Sequence, residues 1–215
     1  MKKLISVEEA VSMVKDGMTI MVGGFLAAGS ANKILAALAE TSVKDLTIIC
    51  NDAAYVDKGC GTLIANGKVK KLIASHIGTN KMAGTLYNEG KMDIEFSPQG
   101  TLAERIRVGG AGLGGVLTPT GIGTIIEEGK EKITIDGKQF LLEKPLHADI
   151  AFLGATRADE DGNLVYVGTT QNFNPMMATA ADIVIAEAKE IVKTGEIKPE
   201  QVHTPAIFVD YLVQA

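Results

Sequence analysis

The chain has 215 residues, 46% of them hydrophobic and 22% charged, with a formal net charge of −5 and a pI of about 5.3. That length fits one large domain, residues 1–215, with enough chain to bury a sizeable core, and no apolar run approaches the roughly 18 residues of a membrane-spanning helix. The acidic balance, without any extended cluster of Lys and Arg, argues against a nucleic-acid partner.

The opening residues, Met1-Lys2-Lys3-Leu4-Ile5-Ser6, lack the apolar stretch of a secretory leader, so a cytoplasmic location is expected. Ser6 and Glu9 have the spacing of a capping box, and Val7, Ala10, Val11 and Val14 continue at helical spacing until Asp16-Gly17. Residues 18–22 read as a buried strand and 31–40 as a helix with Ile34, Leu35 and Leu38 facing inward. A second apolar strand spans 46–50, a short helix lies near 62–65, and a third strand covers 69–75. A helix over 81–89, a fourth strand over 92–96 and a helix over 101–108 carrying Arg105 and Arg107 complete the first half. Strands that are apolar throughout suit a mostly parallel open sheet with helices on both faces, an α/β fold.

The pattern then changes. Residues 109–115 are too rich in glycine for a regular element, and the irregularity continues to about Thr124, suggesting a glycine-rich lobe. Residues 132–135 and 138–142, joined by Asp136-Gly137, read as a β-hairpin with a type I′ turn. Strands are expected over 149–154, 163–167 and, as the last buried one, 182–187, with a helix over 175–181 that begins on proline. Cys50 ends an apolar strand and reads as a buried thiol. Cys60 sits in a Gly-Cys-Gly loop, and no disulfide between them is expected in a reducing cytoplasm.

The chemistry-bearing candidates lie where strands end. After the first strand come Gly23, Gly24, Phe25, Leu26, Ala27, Ala28 and Gly29, running into a helix. Such a loop can present adjacent backbone N–H groups, here those of Gly23 and Gly24, to an anion or carbonyl oxygen. Each bond of that kind is worth roughly 1.5–3 kcal/mol. A plain strand–helix turn has the same spacing, and the loop lacks both common nucleotide-phosphate signatures. Asn51-Asp52 follows the second strand, His76 the third and Pro98-Gln99-Gly100 the fourth, so three successive strands end in polar groups on one rim. Each also fits a simpler role: a turn at Asn51-Asp52, or a backbone-held histidine at His76. Glu104 beside arginines suits an ion pair, residues 159–161 a solvated turn, and His147 and His203 loop positions without chemistry. No nucleophile elbow and no metal-ligand spacing is present.

Several longer segments, taken in order, resemble the α subunit of family I CoA-transferases. They are Gly23-Gly24-Phe25, Ser75-His76-Ile77-Gly78-Thr79-Asn80, and residues 98–107. Gly109-Gly110-Ala111-Gly112, Thr118-Pro119-Thr120-Gly121, residues 161–166, Asn172-Phe173-Asn174-Pro175 and His203-Thr204-Pro205 continue the match. The resemblance covers essentially the whole chain and is nearest to the acetate or butyrate–acetoacetate type. One departure is Gly29-Ser30-Ala31, where the family usually has Gly-x-Pro; Ser30 can cap the following helix instead.

The resemblance implies a transferase of coenzyme A between short-chain carboxylic acids, with coenzyme A as substrate and no permanently bound cofactor. A glutamate of a separate β subunit attacks the acyl-CoA in that family, so this chain is expected to act only within a hetero-oligomer, α2β2 or larger. By the same resemblance, residues 23–29 line the CoA or acyl pocket, Gln99 donates to the developing oxyanion and Asn51 orients the carboxylate. Two other readings share the architecture. A sugar-phosphate isomerase predicts a catalytic carboxylate and phosphate loop within this chain, and a non-catalytic acyl-CoA or sugar-phosphate sensor predicts binding without turnover.

Overall fold

The computed structural model describes residues 2–215. Its strands and helices alternate through the first half: β1 (Lys3–Leu4), α1 (Val7–Ser12), β2 (Thr19–Val22), α2 (Asn32–Ala39), β3 (Leu46–Cys50), α3 (Cys60–Ala65), β4 (Val69–Ala74), α4 (Lys81–Asn88), β5 (Asp93–Phe96) and α5 (Gln99–Gly110). The second half is mostly strand: β6 (Val116–Thr118), β7 (Lys132–Ile135), β8 (Lys138–Glu143), β9 (Ala148–Asp159), β10 (Leu164–Val165), α6 (Asn174–Met177), β11 (Ala181–Val192) and β12 (Tyr211–Gln214). The capping box forms as the sequence predicts, with Glu9 N–H donating to Ser6 Oγ at 3.1 Å and Ser6 N–H to Glu9 Oε2 at 2.9 Å.

The large sheet has the order β1-β12-β11-β9-β2-β3-β4-β5, and every pair along it is parallel; β10 joins β9 antiparallel. Side chains alternate between two cores, as the two-residue period of a strand requires. Ile20 and Val22 of β2 and Ile48 of β3 pack with α1–α4 on one face, while Met21 and Ile49 pack with Leu102 and Ile106 of α5 and Met177 of α6 on the other. Both faces are covered, which is why the buried positions of these strands are apolar on both sides. A separate antiparallel sheet, β6-β8-β7, forms the lobe. Asp136 (φ 48°) and Gly137 (φ 75°) make the type I′ hairpin turn between β7 and β8.

Packing overrides several local expectations. Helix α5 continues through Gly109 and Gly110, although the glycine run suggested irregular chain. A Cβ on Gly109 would lie 2.1 Å from the Leu146 carbonyl oxygen, and one on Gly110 2.0 Å from Thr179 Oγ1, so these glycines let the helix end press against its neighbours. Within the stretch expected to be irregular, β6 is ordered by pairing with β8. Strands β9 and β11 run well past residues 154 and 187 because they extend each other, with Arg157 Nε 2.9 Å from Glu190 Oε2 across the added length. The helix expected over 175–181 shrinks to the four residues of α6. Residues 182–187 are not the last buried strand, since β12 inserts between β11 and β1 and buries Leu212 and Val213. The turn at 159–161 is not simply solvated. Asp159 is buried and accepts N–H bonds from Asp161 (3.1 Å) and Asn163 (2.9 Å) and another from Asn163 Nδ2 (2.8 Å).

Candidate active site

Strands β2, β3, β4 and β5 extend the large sheet in one direction, and β9, β11 and β12 in the other, so the sheet order reverses between β2 and β9. In open parallel sheets the crevice at that reversal, beyond the carboxyl ends of the strands, is the natural ligand site. Residues 23–29 leave β2 there. Phe25 and Ala28 bond each other's backbone in both directions (3.0 and 2.9 Å), with Leu26 (φ 48°) and Ala27 (φ 70°) left-handed between them. Two consecutive non-glycine residues in that region cost roughly 1–2 kcal/mol each, the kind of strain that surrounding structure holds at functional sites.

The sequence suggested that the N–H groups of Gly23 and Gly24 are open to a ligand. The structure corrects this. Gly23 N–H donates to the Phe152 carbonyl at 3.0 Å and Gly24 N–H to Asn172 Oδ1 at 3.0 Å. Leu26 N–H donates to Asp52 Oδ2 at 3.1 Å, and Ala54 N–H to Asp52 Oδ1 at 2.8 Å, so one buried carboxylate ties the loop after β2 to the loop after β3. Ser30 does not cap α2 either. Its hydroxyl donates to the Gly23 carbonyl at 2.7 Å, and α2 is capped from β11 instead, with Glu187 accepting from Lys33 N–H (3.2 Å) and Ile34 N–H (2.9 Å). Burial pushes the Glu187 carboxyl above its ordinary value, against the pull of those two N–H bonds.

Of the candidate residues, Asn51 and Gln99 do meet. Gln99 Nε2 donates to Asn51 Oδ1 at 3.1 Å, joining the end of β3 to the start of α5. This contact occupies one Gln99 N–H. The two amides stand at a cleft of about 310 Å³ whose apolar walls are Phe25, Phe173 and Met176. Phe25 thus reaches this cleft, whereas Leu26, Ala27 and Ala28 line a second groove against α2 and residues 57–59. The His76 carbonyl accepts from Ala53 N–H at 3.0 Å, tying the end of β4 to the loop after β3. Glu104 pairs with Arg107 at 2.8 Å, and His203 Nδ1 accepts from Tyr166 N–H at 3.0 Å.

Cys60 does not lie in an open loop; it starts α3 and is buried, with its Sγ 3.6 Å from Cys50 Sγ. The contact with Cys60, together with burial, pushes the Cys50 thiol well up, away from the reactive thiolate.

The segment after β10 is the part that residue-by-residue reasoning missed. Asn172 accepts from Gly24 N–H and donates to the Ala28 carbonyl at 3.1 Å. Asn174, fully buried, donates to the carbonyls of Gly29 and Thr170, both at 2.9 Å. A Cβ on Gly23 would sit 1.7 Å from Asn174 Oδ1, and one on Gly154 2.5 Å from the Gly29 carbonyl oxygen, so the glycines admit this asparagine clamp. The only sequence signal was the resemblance motif at 172–175.

The profile of the coenzyme A transferase family matches residues 4–215. The chain belongs to that family. It is 53% identical over 98% of its length to the acetate CoA-transferase subunit alpha of Escherichia coli K12, of which it spans 96%. It is 51% identical over 99% of its length to the acetoacetyl-CoA:acetate/butyrate CoA transferase alpha subunit of Clostridium acetobutylicum, spanning 97% of that protein. The structure superposes on an Escherichia coli O157:H7 acyl-CoA transferase in a thioester complex with CoA, with TM-score 0.90 and 25% identity. The match covers all of this chain and 47% of that one. Within this CoA-transferase chain, no group of three or more His, Cys, Asp or Glu side chains is arranged to hold a metal ion among the described residues. Among the described residues, no helix is long and apolar enough to cross a membrane.

Proposed function

We propose that this chain is the α subunit of a short-chain acyl-CoA:carboxylate CoA-transferase of the acetate or butyrate–acetoacetate type, working as one unit over residues 1–215 in the cytoplasm with a separate β subunit. The observation that carries the reading is the Gln99–Asn51 amide pair at the mouth of an apolar cleft whose lining holds no carboxylate, cysteine or histidine. Such a site can bind an acyl group and stabilise negative charge on its carbonyl oxygen, but it has no group able to attack the carbonyl. The attacking glutamate comes from the β subunit. It displaces CoA thiolate from the acyl-CoA to give an acyl–glutamyl anhydride; the thiolate then attacks the glutamyl carbonyl, releasing the acid and leaving a glutamyl-CoA thioester. The incoming carboxylate reverses both steps.

In this scheme Gln99 donates to the oxyanion of each tetrahedral intermediate, and Asn51, held by Gln99, orients the acid. Residues 23–29 line the path of the acyl group and CoA: Phe25 at the acyl cleft, Leu26 to Ala28 at the adjoining groove, and Gly23, Gly24 and Gly29 as backbone held by the asparagine clamp. Coenzyme A is substrate rather than resident cofactor. The isomerase reading needs a carboxylate and a phosphate loop in this chain, and the committed N–H groups of Gly23 and Gly24 leave it without support.

The test is reconstitution. The purified chain mixed with a β subunit should transfer CoA from acetyl-CoA to butyrate, and borohydride trapping followed by peptide mass mapping should place the thioester on the partner. Transfer by this chain alone, or a trapped adduct on it, would overturn the proposal.

A further inference from the structure

Two thiols that the transfer chemistry does not use lie next to the residues of the site. Cys50 closes β3 and Cys60 opens α3; both are buried, with their sulfurs 3.6 Å apart. A disulfide holds its sulfurs about 2.05 Å apart, so the pair stands about 1.5 Å beyond bonding distance. The approach can come from α3, which no side chain caps and which follows Gly59 in a left-handed conformation (φ 57°). Both cysteines, with Gly23, Gly24 and Leu26, line a crevice of about 10 Å³, room for about one water-sized molecule. A crevice of that size favours the smallest oxidants over bulky thiol reagents.

Both cysteines adjoin residues of the site. Asn51 follows Cys50 and accepts from Gln99. The Cys60 thiol donates to the Asp52 carbonyl at 3.2 Å, and the Asp52 carboxylate holds the N–H groups of Leu26 and Ala54. Drawing the sulfurs together takes the Cys60 thiol from that carbonyl and pulls on the end of β3. We propose that Cys50 and Cys60 form an oxidation site, which hydrogen peroxide converts into an intramolecular disulfide that displaces Asn51 and slows CoA transfer. Peroxide first oxidises Cys60 to a sulfenic acid, releasing one water. The Cys50 sulfur then bonds to Cys60 Sγ and expels the sulfenic oxygen as a second water, which carries off the Cys50 proton. The two thiols lose two electrons and two protons, and peroxide takes them up. Because the contact with Cys60 and burial keep Cys50 as the thiol, the reaction is slow and answers sustained peroxide rather than a brief pulse.

The oxidation itself is independent of the transferase reading; only its activity readout rests on that reading. The holoenzyme is treated with hydrogen peroxide, quenched with catalase, alkylated on its free thiols while denatured, and digested with trypsin. Residues 45–58 and 59–68, each carrying one cysteine, should appear as one crosslinked pair, lighter by two hydrogens than the two peptides together. The kcat for transfer from acetyl-CoA to butyrate should fall by about 10-fold or more and return with dithiothreitol. The Cys60→Ala and Cys50→Ala enzymes should start at the wild-type kcat and keep it under the same treatment, and either one serves if the other fails to assemble. Recovery of both wild-type cysteines alkylated, or oxidised without the crosslink, overturns the proposal. A crosslink with unchanged kcat overturns the link to Asn51, as does an equal loss of activity in the variants. Wild type that transfers nothing before treatment brings down the transferase reading, while the crosslinked peptides still decide the oxidation site.

Discussion

Replacing Gln99 by Ala is the most direct probe of the amide pair. Gln99 is exposed in this chain, and its Nε2 donates to Asn51 Oδ1 at 3.1 Å. Two effects of different size follow. Loss of one preorganised oxyanion donor costs about 10²–10³ in kcat, or about 2.7–4 kcal/mol of transition-state stabilisation. Loss of the partner for Asn51, which is 3% exposed, costs about 1–3 kcal/mol of folding stability. The second is a fraction of the roughly 5–15 kcal/mol that holds a domain folded, so the variant should fold and assemble while turning over slowly.

Because Gln99 also holds Asn51, the two positions are coupled. The Gln99→Ala/Asn51→Ala double variant should lose less than the sum of the single losses, by about 0.5–3 kcal/mol. The assay is steady-state CoA transfer from acetyl-CoA to butyrate in the reconstituted enzyme. It should show kcat and kcat/KM falling together, the mark of an interaction made in the transition state. A kcat within about threefold of wild type, in an enzyme that assembles normally, would remove Gln99 from the chemistry. Strict additivity would remove the proposed dependence of Asn51 on it.

Asp52→Ala leaves the N–H groups of Leu26 and Ala54 without their acceptor. It should cost about 3 kcal/mol and lower Tm by about 6–12 °C in a calorimetric scan. Two carboxylates should bend the stability–pH profile in opposite directions. Burial raises Glu95, but hydrogen bonds and charge from Lys71 and Arg105 outweigh it and hold its carboxyl below the ordinary 4.5. Its contribution is therefore present above that pH and lost as the pH falls through the lowered value, and Glu95→Gln should flatten the acid limb. Glu187, raised above 4.5 by burial, contributes stability that is full below that pH and declines as the pH rises through the raised value. Glu187→Gln should flatten the decline above pH 4.5, with both profiles read from urea midpoints across pH. Two helical glycines should respond with opposite signs. Gly84→Ala in α4 meets nothing within 4 Å and should gain about 0.5–1 kcal/mol, whereas Gly109→Ala, 2.1 Å from the Leu146 carbonyl oxygen, should destabilise in the same urea assay.

Local chemistry was legible in the sequence wherever a few neighbouring residues decide the outcome. The Ser6–Glu9 capping box, the Asp136-Gly137 turn and the largely apolar strand 46–50 depend on interactions within a turn or a strand, and such strands predicted a parallel α/β sheet. Positions just after buried strands pointed to Asn51 and Gln99, and the resemblance motifs added the family and the roles it implies. The misreadings lay where distant packing overrides local signal. Gly109 and Gly110 look like helix breakers until the Leu146 carbonyl is placed against them, and the four residues of β12 become a strand only between β11 and β1.

The amino-acid order alone thus determined the helix–strand alternation of the first half, the mostly parallel character of the sheet and the supply of polar groups at strand ends. Tertiary structure decided which of those groups remain available. The N–H of Gly24 is taken by Asn172, 148 residues away, and α2 is capped by Glu187 rather than by Ser30 beside it. The reason is the range of the forces involved. Propensity, capping and turn chemistry act over three or four residues, whereas a hydrogen-bond partner from the far side of a sheet exists only once strand order has brought it there.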